Sequence, residues 1–229
     1  MARYKQCGQL LTVRLGTGAP PDKIAKRGKV VGMSSESRNR LIRLMLTLRY
    51  TRPLFVTLTY PAAYPSGRAS KEHLRAFWER LRREYGNYWA VWRLEYQERG
   101  APHYHIILGL TYVPYDYIAR IWYEIVGSGD EAHLAAGTRV EAIRSRNGVL
   151  YYASKYCAKV SGAPLEETGR VWGVVGRRHL PVDVVREGDL SDDQLMRLIA
   201  EYRRRGLDLY DGQVTFHLFG AGVADYLDD

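Results

Sequence analysis

W-R-L-E-Y-Q-E-R-G-A-P-H-Y-H-I-I-L, residues 92–108, decides how this chain is read. Two histidines, His103 and His105, flank a tyrosine and lead into Ile106, Ile107 and Leu108. Side chains on a β-strand alternate between faces, so the two imidazoles point the same way. Pro102 suits the first position of a strand, where no ladder N–H is needed. Gly100, Ala101 and Pro102 read as a turn after an earlier strand, Tyr88 to Gln97, on which Glu95 and Gln97 share a face. Such a hairpin brings two imidazoles and a carboxylate to one point, a donor set suited to Mn²⁺ or Mg²⁺ with open positions. By itself an H-x-H pair more often marks two satisfied strand histidines, so the rest of the chain must decide.

The chain has 229 residues, 46% of them hydrophobic, enough for one large domain or one domain with a small appendage. Its net charge of +9 calls for an anionic partner, with nucleic acid ahead of a membrane surface. No apolar run approaches the roughly 20 residues of a transmembrane helix. The N-terminus lacks the apolar core of a signal peptide. Cys7 and Cys157 are too few for a disulfide framework or a four-cysteine zinc site, which makes an intracellular, reducing compartment the default. No phosphate-binding P-loop pattern occurs, which argues against a nucleotide-driven motor. The 18 tyrosines suit base stacking.

Residues 1–33 read as a basic, weakly periodic N-terminal segment carrying Lys23, Lys26, Arg27 and Lys29. Residues 34–220 read as the main domain, and residues 221–229 as a loose acidic tail. Ser34 or Ser35 caps a helix to about Leu48, with Leu41, Leu44, Met45 and Leu48 inward and Arg38, Arg40 and Arg43 on the polar side. Leu54 to Tyr60 alternates as a strand, with Phe55, Thr57 and Thr59 on one face. Ser70 is placed to cap a helix over 71–85 that Gly86 ends. Pro114 opens a helix to about Val126, and Thr138 to Arg144 is a strand. The stretch 172–176 reads as a glycine-rich loop, followed by Arg177 and Arg178 and an extended segment over 179–185. Ser191 and Gln194 make a capping box for a helix that Gly206 ends, and Gln213 to Leu218 is a last strand.

Between these elements, G-V-L-Y-Y-A-S-K-Y-C-A-K-V at 148–160 predicts a helix. At about 100° per residue, Val149, Leu150, Ala153, Cys157 and Val160 form its buried side. Tyr152, Lys155, Tyr156 and Lys159 form a second stripe at its border, while Tyr151 falls nearly opposite the core and faces solvent. A phenol is a poor nucleophile at neutral pH, because its pKa is about 10. A lysine on the same stripe stabilises phenolate, and a nearby divalent ion polarises phosphate oxygens. Tyrosine attack on a phosphodiester then gives a covalent ester that conserves the energy needed to rejoin the strand. Alone, this helix also reads as a basic amphipathic helix with a Tyr/Lys border at solvent.

Three blocks stand in order: F-V-T-L-T-Y-P at 55–61, E-R-G-A-P-H-Y-H-I-I-L at 98–108 and Y-A-S-K-Y-C-A-K at 152–159. Together they resemble the HUH endonuclease superfamily, and within it rolling-circle replication initiators of the two-tyrosine type found in microviruses, filamentous phages and plasmids. The resemblance spans roughly residues 35–182 and implies an α+β fold, a central antiparallel sheet with flanking helices in an RRM-like arrangement. It implies that His103 and His105 hold the metal and that Tyr152 and Tyr156 are nucleophiles assisted by Lys155. Glu95 takes the usual place of the third ligand, with Gln97 and Glu98 as alternatives. Candidate phosphate contacts are Lys159, Arg177, Arg178, Arg38 and Arg40, each also readable as a solvated surface charge. The implied activity is metal-dependent nicking and rejoining of single-stranded DNA at a replication origin, where a hairpin is one form the target takes. The helicase and polymerase would come from the host. An HUH transposase and a non-catalytic, sheet-faced single-strand binder are the rival readings.

Overall fold

A computed structural model describes residues 2–16, 33–149, 151, 168–207, 209, 215–220 and 222–228. It is an α+β structure with two antiparallel sheets, as the sequence led us to expect. The chain divides into two compact units.

The larger unit comprises Arg27–Ile42 and Tyr50–Pro181. Its five-stranded sheet contains β3 (Leu54–Thr59), β4 (Ala90–Tyr96), β5 (Pro102–Leu108), β6 (Thr138–Ala142) and β7 (Trp172–Val175), in the order β6-β3-β5-β4-β7. Alternation sorts the side chains. Val56, Leu58, Leu94, Tyr104, Ile106 and Leu108 point to one face and form the core with Leu74, Phe77 and Leu81 of α2 (Ser70–Tyr85) and Ile118, Ile121 and Trp122 of α3 (Tyr115–Val126). Both helices carry their apolar residues at helical spacing, which is why they lie on the sheet. The opposite face carries Phe55, Thr57, Thr59, Arg93, Glu95, His103 and His105.

Several boundaries differ from the sequence reading for local reasons. Ser70 is the first residue of α2 and caps nothing. Its hydroxyl bonds the Gly67 carbonyl (2.9 Å) and the Tyr104 hydroxyl (2.7 Å), while Ser66 Oγ accepts from Ala69 N (3.2 Å). A short helix, α4 (Glu131–Ala136), follows α3, capped by Asp130 accepting from Ala132 N at 2.9 Å. The glycine-rich 172–176 is edge strand β7, paired with β4. Gly173 lies opposite Trp92, and a side chain there would strike that indole. Residues 146–149 and 151 are helical, Val149 is buried and Tyr151 is 59% exposed, in keeping with the faces read from the sequence. Tyr152, Lys155, Tyr156 and Lys159 lie outside the described residues, as does the basic run Lys23 to Lys29.

The smaller unit comprises Met1–Lys26, Arg43–Arg49 and Val182–Asp229. Its sheet joins β1 (Ala2–Cys7), β2 (Leu10–Leu15), β8 (Val185–Leu190) and β9 (Thr215–Phe219) in the order β8-β1-β2-β9. The N-terminal residues read as weakly periodic are thus a β-hairpin, and the boundaries 1–33, 34–220 and 221–229 differ from this division. Helix α5 (Asp192–Arg204) starts at the expected Ser191–Gln194 capping box and packs Leu198 against Leu11, Val13, Phe216 and Leu218. The acidic tail is not loose. Val223 is buried, and the Leu227 carbonyl accepts from Gln194 Nε2 at 2.9 Å. The first half of α1 (Ser35–Thr47) belongs to the larger unit and its end to the smaller one, and Ser34 Oγ caps it by accepting from Ser37 N at 3.2 Å.

Gly176, at the end of β7, has φ 61°, and a Cβ there would come 1.9 Å from the Tyr88 carbonyl oxygen. Gly129 has φ 64° with nothing within 4 Å of that point. Gly129→Ala should cost about 1 kcal/mol, the left-handed penalty alone. Gly176→Ala should cost more than about 3 kcal/mol. Urea unfolding midpoints at unchanged slope measure the difference.

Candidate functional site

Register assembles the site. Directly opposed residues of antiparallel strands share a face. In β3, β5 and β4 these pairings put Thr59, His103 and Glu95 in one row, and Thr57, His105 and Arg93 in the next. The second row continues to Trp172 of β7 and Arg139 of β6.

Glu95 Oε2 lies 3.2 Å from His105 Nε2, and both side chains are buried. The rings of His103 and His105 stand 4.5 Å apart, nearly perpendicular. Phe55 stacks on the His105 ring at 5.7 Å, limiting its rotation. Thr59 Oγ1 shares a hydrogen bond with His103 Nδ1 at 3.1 Å. The tautomer that donates Nδ1–H to this hydroxyl leaves the Nε2 lone pair for a ligand, the usual arrangement around metal-binding histidines.

Thr59 is itself pinned from below. Its carbonyl accepts from Trp122 Nε1 (2.8 Å) and is 2.9 Å from His133 Nε2, and His133 Nδ1 meets Ser128 Oγ at 2.9 Å. Arg99 clamps the hairpin turn to the end of β3. Its guanidinium donates to the Tyr60 and Pro61 carbonyls at 2.5 and 2.7 Å and to Gln97 Oε1 at 2.9 Å.

These contacts separate the three candidate carboxylate and amide positions. Glu98 is exposed in the turn, and Gln97 is engaged by Arg99. Glu95 alone among them is buried and beside His105.

The donor set fits a small divalent ion. Adjacent ligands of an octahedral ion at 2.0–2.1 Å lie about 3 Å apart, the spacing of Glu95 Oε2 and His105 Nε2. Among the described residues no group of three or more His, Cys, Asp or Glu side chains is drawn together as a finished metal cluster. Two donors are at ligand spacing and the third imidazole is alongside.

Arg93 escaped the sequence reading. It is 5% exposed, and its guanidinium Nη2 lies 3.3 Å from Glu95 Oε1. Parity was the available signal, since Arg93, Glu95 and Gln97 alternate together. Thr59, His133 and the Trp172 indole, which donates to Ser37 Oγ at 2.7 Å, carried no signal of their own. Tyr104, between the two histidines, points into the core, where burial pushes its phenol far above the ordinary range, and the same holds for Tyr60. Neither suits nucleophilic attack.

The basic candidates are scattered. Arg177 and Arg178 form an exposed 3₁₀ turn after Gly176, Arg40 is exposed, and Arg38 is half-buried.

Residues 53–161, a little under half of the chain, match the family model of the replication-associated protein ORF2 and its phage gene II counterpart. That span contains β3, the histidine hairpin and the tyrosine segment. The chain is also similar to the "Putative replication protein" of Xylella fastidiosa (strain 9a5c), 29% identical over 186 residues. This alignment takes in 72% of the chain and 63% of the relative, so the chain spans somewhat less than two thirds of that protein's length. No solved structure matches the chain significantly. Both likenesses are to replication proteins, and they support a role in replication. Among the described residues no helix is long and apolar enough to cross a membrane.

Thr59→Val removes the hydroxyl at His103 and keeps the strand shape. It should cost about 1 kcal/mol of stability. In ¹⁵N spectra the His103 ring nitrogens should move while those of His133 stay.

Proposed function

We propose that this protein initiates rolling-circle replication by nicking and rejoining single-stranded DNA, as an HUH-type nuclease of the two-tyrosine kind. The observation that carries the reading is the row geometry, with His103, His105 and Glu95 on one sheet face and an acidic oxygen at ligand distance from an imidazole nitrogen. The replication-protein likeness over 53–161 supports it, as does a net charge of +9.

In this reading His103, His105 and Glu95 would hold Mn²⁺ or Mg²⁺. The bound ion would polarise the scissile phosphate and stabilise charge developing on its oxygens. The phenol oxygen of Tyr152 or Tyr156 attacks phosphorus, and Lys155 stabilises the phenolate. The P–O3′ bond breaks, and the 3′-oxygen leaves and takes up a proton. The 5′-phosphate stays on tyrosine, and the free 3′-hydroxyl primes synthesis by a polymerase supplied by the host. The second tyrosine allows a later cut while the first end is held, and attack of a 3′-hydroxyl on the phosphotyrosyl ester closes the circle without ATP. Unwinding falls to a host helicase. Lys159, Arg38, Arg40, Arg177 and Arg178 are the proposed phosphate contacts along the strand.

The test uses labelled single-stranded origin DNA with Mn²⁺, denatured before electrophoresis. A protein-linked band is expected. It should vanish with EDTA, return on adding Mn²⁺, and be absent from the Tyr152→Phe/Tyr156→Phe double variant, which should still bind DNA. Adducts that persist in the double variant would overturn the tyrosine chemistry. Binding that is indifferent to metal and never yields an adduct would leave a non-catalytic binder.

A further inference from the structure

The proposed site leaves one buried charge without a task. Arg93 is 5% exposed on the histidine face, directly opposite His105 in register and two residues before Glu95. Burying a guanidinium costs several kcal/mol unless it is paired. Its carboxylate neighbour is Glu95, and the two oxygens of Glu95 are divided. Oε1 is 3.3 Å from Arg93 Nη2, and Oε2 is 3.2 Å from His105 Nε2.

We infer that Arg93 is a positioning residue that holds one oxygen of Glu95, so that the other faces His105 as a single-oxygen ligand to a divalent cation. This rests on the functional reading above and adds a residue to it. A carboxylate left to itself rotates and offers both oxygens, which suits the larger, seven- or eight-coordinate Ca²⁺. A carboxylate tied at one oxygen offers one donor, which suits six-coordinate Mn²⁺ or Mg²⁺. The guanidinium is fitted to this task because its planar fork fixes direction as well as charge. Trp172 faces Arg93 from β7 and is held by Ser37, which closes that side of the row.

The sign of the effect makes the inference testable. A guanidinium near a dication is repulsive, so if Arg93 were only a background charge, removing it would tighten metal binding. If it positions Glu95, removing it loosens metal binding, by about 10- to 100-fold. Mn²⁺ titration of the full chain, read by loss of the free-ion electron paramagnetic resonance signal, measures this without any nicking assay.

Arg93→Met should weaken Mn²⁺ binding by that factor. In a Glu95→Gln background the same substitution should add nothing, because the group it acts through is gone. Arg93→Lys keeps the charge and loses the fork. It should weaken binding about ten-fold, and it serves if Arg93→Met fails to fold. Unchanged or tighter binding in the folded Arg93 variant, or a full further loss in the Glu95→Gln background, would overturn the inference alone. Wild-type protein that binds no Mn²⁺, or binds it as well after Glu95→Gln, would overturn the functional reading and the inference with it.

Discussion

Antiparallel register across β3, β5 and β4 is the constraint on which the candidate site depends. The side-chain period of a strand is two, so a slip of one residue exchanges the faces of that strand. A slip in β5 would turn His103 and His105 toward α2 and α3 and expose Tyr104 and Ile106. The core forbids it. Tyr104, Ile106 and Leu108 are fully buried, and Tyr104 also bonds Ser70 beneath the sheet. The apolar face thus sets the register, and the register sets which polar side chains meet on the other face.

The same economy extends to single groups. Thr59 uses its backbone and its side chain in different layers. Its carbonyl is held by Trp122 and lies beside His133 on the helix side, and its hydroxyl meets His103 on the open side. Arg99 ties the hairpin turn to the end of the same strand. A ligand set built this way rests on strands braced from behind, which is how a site keeps its geometry while it binds and releases a long, charged substrate.

Much of this was legible in the linear chain. H-x-H parity predicted two imidazoles on one face, and the turn at Gly100 predicted the partner strand carrying Glu95. The capping box at Ser191, the apolar stripes of α2 and α3, and the solvent-facing Tyr151 follow from local rules. Other features were not legible. Strand β7 looks like a loop because an edge strand beside Trp92 needs Gly173, and glycine is a loop signal in sequence. The N-terminal hairpin looks aperiodic because its β1 strand buries Ala2, Gln6 and Cys7 while Arg3 and Lys5 pair with acidic residues of β8, more than 180 positions away. Ser70 looks like a helix cap because capping and core hydrogen bonding use the same hydroxyl.

The sequence by itself determined the α+β class, the facing of both histidines and the presence of a carboxylate within one hairpin, because alternation and turn chemistry act over a few residues. Only the tertiary structure decided among Glu95, Gln97 and Glu98, brought Arg93 to one oxygen of Glu95, and tied His103 to a threonine 44 positions earlier. These depend on which strands become neighbours and on what burial leaves each polar atom to bond. That choice is made by the whole core at once and is written in no single stretch of the chain.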